Sequence, residues 1–103
     1  MRQYRIRFSE IEWDSPMEGV RQKVIAEGGK KLRLVEYLPT LPLHWCAKGH
    51  CGYILEGQLE VEFDDGACLF EAGDAVFIPE GDAHRHQARV FSPLVRAIFI
   101  ENA

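Results

Sequence analysis

Apolar and polar positions alternate over short stretches of this chain, and turn residues separate the stretches. The clearest run is 58–63, where Leu59, Val61 and Phe63 interleave with Gln58, Glu60 and Glu62. A period of two places the first set on one face of a strand and the second on the other. Further runs rich in Val, Ile, Leu, Phe or Tyr lie at 20–26, 32–38, 52–55, 67–70, 75–78, 84–91 and 94–100. A first strand is expected at 4–8, whereas 10–19 reads as irregular because Pro16 and Gly19 break it. Gly28-Gly29 predicts a hairpin, and Glu56-Gly57 and Asp64-Asp65-Gly66 predict turns. No stretch of about 11 residues carries a helical period, so helix content should be low. Strands spaced by about 8–12 residues predict an all-β, antiparallel sandwich or barrel.

Length narrows this to one domain spanning 1–103. A domain this small buries a modest core, so a bound metal or dimerisation would help to stabilise it. With 47% hydrophobic and 27% charged residues the chain has the composition of a globular protein, which argues against disorder. The net charge of −4, with basic residues scattered in pairs, argues against nucleic acid as a partner. No apolar run approaches the roughly 18 residues of a membrane span. The opening MRQYRIRF lacks the apolar stretch of a signal peptide. Cys46, Cys51 and Cys68 follow no disulfide-framework spacing. A reduced, cytoplasmic protein is the expectation.

The candidate chemistry is concentrated in the histidines, His44, His50, His84 and His86. His44 and Cys46 are two apart on an expected strand and so share a face. His50 follows Lys48-Gly49, an expected bend. His84 follows Pro79-Glu80-Gly81-Asp82, a turn in which Pro fixes φ and Gly permits a positive φ. His86 shares the face of His84 on a regular strand and is the candidate acid–base group, its plain alternative being a histidine at the rim. Cys51 and Cys68 read as packing residues. Arg21, Lys23, Arg33 and Arg96 read as solvated or interface charges, with an inward arginine bound to a substrate carboxylate as the alternative.

The stretch GDAVFIPEGDAH from Gly73 to His84 reproduces G-x5-P-x-G-x2-H. Four fixed residues recur by chance in such a chain on the order of one time in a thousand. The pattern resembles the second motif of the cupin family, except that Ala88 stands where Asn usually ends it. The first cupin motif is H-x-H-x3-E-x6-G. Anchored on Gly57, it places His44 at the first His, Cys46 at the second and His50 at the Glu. The two motifs span 44–84.

This resemblance implies a jelly-roll barrel, the double-stranded β-helix, holding one divalent transition metal through His44, Cys46, His50 and His84. An imidazole-rich set suits Zn, Fe or Ni better than Mg or Ca. A Cys46 thiolate on the metal would close a tetrahedral set and favour Zn. With Cys46 off the metal, three histidines leave open positions, similar to the Fe(II) site of thiol dioxygenases. The resemblance implies a metal-dependent oxygenase or isomerase acting on a small molecule. Its alternative is a non-catalytic regulatory domain that senses a small molecule, a metal or redox state. Small cupins also imply a homodimer, formed by exchange of an N-terminal strand within 1–19, with residues 3–8 as the exchanged segment.

Overall fold

Two antiparallel sheets absorb nearly all of the alternating runs. The computed structural model describes residues 4–103. Among them are nine strands: β1 Asp14–Met17, β2 Val20–Glu27, β3 Lys30–Tyr37, β4 His50–Glu56, β5 Gln58–Phe63, β6 Gly66–Glu71, β7 Ala75–Ile78, β8 His86–Val90 and β9 Val95–Asn102. One sheet has the order β1-β2-β3-β9-β4-β7 and the other β6-β5-β8. Helix is limited to 3-10 turns at Phe8–Glu10 and Asp82–His84. This is the antiparallel jelly roll expected from the sequence. Among the described residues no helix is long and apolar enough to cross a membrane.

Turn chemistry sets the registers. Gly28 and Gly29 have φ of 60° and 76°, and Glu27 pairs with Lys30 across them. Two consecutive positive φ values match the twist of a two-residue hairpin, which is why two glycines stand there. At Gly57 φ is 90°, and a Cβ would lie 2.0 Å from the Leu94 carbonyl oxygen, so only glycine fits between β4 and β5.

These registers divide the inner face of the larger sheet. Val35 lies opposite Ala97, Tyr37 opposite Val95, and Ile54 opposite Ala97 from the other side. Val35, Ile54, Val95 and Ala97 are buried, and they pack with Leu59 and Val61 of the smaller sheet. Burying each such aliphatic side chain stabilises the fold by about 1.5–3 kcal/mol. Toward the other end of the same strands the inward positions become Lys31, Arg33, His50 and Glu101. The core therefore ends in a charged mouth. On the outer face, Ile25, Leu32, Ile100, Cys51 and Phe77 form one cross-sheet row.

Five expectations differ from the structure. Residues 4–7 form no strand, and Phe8–Glu10 is a 3-10 turn. The segment expected to be exchanged, 3–8, lies partly outside the described residues. The stretch expected to be irregular instead contains β1. Pro16 is tolerated there because β1 is an edge strand that owes hydrogen bonds to one neighbour only. His44 and Cys46 do not sit on a strand; Cys46 alone makes a bridge, to His86. Finally, β8 begins at His86 and not at His84. The amides of His84 and Arg85 close 3-10 bonds onto Gly81 and Asp82, which delays the strand. Cys51 and Cys68, expected to pack inside, are exposed.

Candidate metal and ligand site

His50 opens β4 with its side chain directed inward. The pairing of Cys51 with Ile100 brings it beside Glu101 of β9. His50 Nδ1 lies 2.5 Å from Glu101 Oε2. Arg33 donates to the same carboxylate through Nε at 3.0 Å and Nη2 at 2.9 Å, a two-pronged contact. Its remaining donors reach Gln22 at 3.2 Å and the Tyr37 hydroxyl at 3.4 Å. Burial would raise the Glu101 pKa, but the bonds from His50 and Arg33 outweigh it and hold it at about 2. An ionised carboxylate only accepts, so His50 donates from Nδ1 and keeps Nε2 free as a base or ligand.

His86 opens β8 and is buried. Its Nδ1 lies 3.0 Å from the His84 carbonyl oxygen, so Nδ1 carries the proton of the neutral ring. The other nitrogen, Nε2, is buried without a hydrogen-bond partner. Such an orphaned polar atom costs about 1–3 kcal/mol. Burial lowers the His86 pKa, and the neighbouring His50 and His44 lower it further against the opposing carbonyl bond. The His50 and His86 rings meet edge to face at 5.1 Å between centroids.

The 44–47 segment is held against these groups by its backbone. Cys46 and His86 exchange both amide bonds, at 2.8 and 2.9 Å, and the Gly81 amide donates to Ala47 at 2.9 Å. Arg85 stacks on Trp45 at 4.7 Å and bonds Asp64. A pair that exchanges both bonds carries its side chains on the same side. Cys46 is thereby placed next to His86, and its Sγ accepts the Lys48 amide at 3.4 Å. His44 is exposed, with Nδ1 3.3 Å from the Pro42 carbonyl oxygen.

A cavity of about 230 Å³ brings together His44, Cys46, His50 and His86, with Lys31, Arg33, Lys48 and Glu101 also on its wall. A narrower space of about 50 Å³ beneath it, between the sheets, touches both His50 and His86. Three of the four residues expected as ligands therefore share one pocket. His84 does not line it: it is exposed on the 3-10 turn, and its carbonyl holds His86. The motif spacing points to the first histidine of the pair, whereas the delayed start of β8 turns the second one inward. Glu101, Tyr37 and Lys31 were not singled out in the sequence. Glu101 had a signal there, because it continues the alternation of Val95, Ala97 and Phe99 as a charged residue in phase with buried ones.

Among the described residues no three His, Cys, Asp or Glu side chains already converge as a metal cage. The donor chemistry fits a metal even so. Ligating histidines typically donate their second N–H to a carboxylate or a carbonyl. His50 does so to Glu101 and His86 to the His84 carbonyl, and His86 Nε2 is left with a lone pair and no partner.

A family model for the cupin domain, Cupin_2, matches residues 33–95. The structure of KdgF from Halomonas sp. superposes with a TM-score of 0.71 at 23% identity over 92% of each chain. A sugar phosphate isomerase of the cupin superfamily from Silicibacter pomeroyi gives 0.75 at 18% identity, over 96% of this chain and 75% of that one. Hydroxypropylphosphonic acid epoxidase from S. wedmorenis gives 0.75 at 13% identity, over 93% of this chain and 57% of the epoxidase. No curated protein matches. The family match covers more than half of the sequence and both motifs, and the structural likeness extends over the whole sandwich: the chain belongs to the cupin domain family.

Proposed function

We propose that this cupin binds one divalent transition metal (Zn, Fe or Ni) and uses it to bind or transform a small molecule. The observation that carries the reading is His86 Nε2, buried, deprotonated by its tautomer and without a partner. His50 supplies a second imidazole with its ring held by Glu101. Cys46 and His44 line the same pocket and complete the candidate donor set, so His86 replaces His84 in the set expected from the motifs. A bound ion would supply Lewis acidity and, if it is iron, redox chemistry.

The residues of the chain have separable roles. Arg33 and Glu101 hold the His50 ring and keep its Nδ1 protonated. The His84 carbonyl does the same for His86. With the ion held by His50, His86 and Cys46 alone, His44, exposed at the rim, would be left to exchange a proton with a molecule entering the pocket. Two structural neighbours support a small-molecule role, since their names describe an isomerase of sugar phosphates and an epoxidase of a phosphonic acid. The free thiol of Cys46 in the pocket favours the second reading, a metal or redox sensor.

Elemental analysis of protein purified without nickel resin, followed by zinc titration of the stripped chain, tests the metal. One ion per chain, lost in His86→Gln and kept in His84→Gln, is the expected result. No binding by the unaltered chain would sink it. The homodimer is a second proposal, and the apolar outer row containing Phe77 and Ile100 is the surface it would cover. A monomer by light scattering at micromolar concentration would count against it.

A further inference from the structure

We propose that the pocket at His50 and His86 takes a small organic anion whose charged group is held by Lys31 and Lys48. This rests on the reading of that cavity as the ligand site. The argument is one of charge. The chain carries a net charge of −4, yet the cavity wall holds Lys31, Arg33 and Lys48 against a single carboxylate, Glu101. Arg33 and Glu101 cancel one another, and the arginine is committed to Glu101, Gln22 and Tyr37. Lys31 Nζ stands 3.8 Å from Glu101 Oε1, an ion pair beyond hydrogen-bond reach, so its donors are unspent. Lys48 is exposed, and its ammonium enters no ion pair among the described residues. Two lysines whose ammonium donors are unspent therefore line one cavity.

The neighbouring opening shows that this is a property of one side only. That space, about 170 Å³, also touches His50 and Glu101, but its other charges are Lys30 and Glu80. Lys30 already donates to Asn102 Oδ1 at 3.0 Å. Two carboxylates face one lysine there, whereas two unspent lysines face the His86 side.

The imidazoles sharpen the assignment. In the neutral tautomers with Nδ1 donating, Nε2 of His50 and of His86 is a lone pair that offers an anion no donor, which leaves the lysines as its anchors. Met17, Val20 and Leu41 form an apolar part of the wall. The ligand that matches is amphiphilic in outline, with a carbon body and one anionic end, either carboxylate or phosphate.

Metal-free protein is titrated at low ionic strength with glycolate, inorganic phosphate and the neutral analogue ethylene glycol, and the His50 and His86 ring signals are followed by NMR. At least one anion is expected to bind about tenfold more tightly than ethylene glycol, and which one saturates distinguishes carboxylate from phosphate. Lys31→Gln with Lys48→Gln should lower that affinity about tenfold, and Arg at both positions should retain it. Lys48→Gln alone, at an exposed position, should give a smaller loss of about threefold, which keeps the test readable if the double variant misfolds. Lys30→Gln, facing the other opening, should change nothing. Failure of both anions to bind, equal binding of ethylene glycol, or an equal loss in Lys30→Gln would overturn the proposal. Zinc affinity of the double variant is measured in parallel. Its retention alongside lost anion binding separates this inference from the metal reading, because the anion titration needs no metal.

Discussion

Glu36 and Glu101 are two glutamates with nearly buried side chains, 2% and 8% exposed, and both are stapled by arginine. Their surroundings differ in one respect. Glu36 receives Arg21 at 2.5 Å and Arg96 at 2.8 and 2.6 Å, and Arg96 continues to Glu56 at 2.7 Å. Those charges close on one another at the surface of the larger sheet. Glu101 receives Arg33 and then His50, whose free nitrogen belongs to the pocket. In both cases burial pushes the carboxyl pKa up and the hydrogen-bonded partners pull it further down. A buried ion pair is thus not a mark of function here. What separates the two networks is an open end, which of this pair Glu101 alone has.

Several experiments would break or sharpen this contrast. The largest expected effect is that of His86→Gln, which should lower zinc affinity by about a hundredfold or more, read by competition with a chelator. Retained affinity would remove the open end altogether. Glu101→Gln should lower zinc affinity about 10–100-fold by releasing the His50 ring. Glu36→Gln should leave zinc affinity unchanged while costing about 2 kcal/mol in urea unfolding. If Glu36→Gln weakened zinc binding as much as Glu101→Gln, the two networks would have to be regarded as one.

Acid should report the same difference in the metal-free protein. Glu101 has a depressed pKa in the folded state, so its contribution is complete above the ordinary value of 4.5 and disappears as pH falls through about 2. A shift of that size corresponds to at most ~3.5 kcal/mol. His86 is also depressed, so its protonation opposes folding as pH drops below its ordinary 6.5. Stability should therefore decline in two steps on acidification, the lower one shared with the likewise depressed Glu36. Glu101→Gln should reduce that lower step in urea midpoints measured against pH, while Glu36→Gln leaves the part that falls through about 2. The smallest effect belongs to His84→Gln, which should change zinc affinity by less than about twofold because the carbonyl that holds His86 remains.

Much of the fold was legible before any coordinates. Leu59, Val61 and Phe63 alternate, Gly28-Gly29 closes a hairpin, and GDAVFIPEGDAH marks a family, because strand period, turn stereochemistry and motif spacing are local properties. The pocket was legible in part. His44, Cys46 and His50 follow from counting back from Gly57, and all three reach it. His84 follows from the second motif, counted forward from Gly73, and does not.

The sequence by itself determined an antiparallel cupin sandwich and the segments that border its mouth, since these depend on side-chain periodicity and on where glycine and proline bend the chain. Tertiary structure decided which histidine turns inward. That choice depends on two 3-10 hydrogen bonds near Gly81 and on the bridge between His86 and Cys46, 40 residues apart along the chain. It also decided that a carboxylate from the last strand, and no residue of either motif, would hold His50. The contact between Glu101 and His50 spans 51 positions, and only the β4–β9 register creates it.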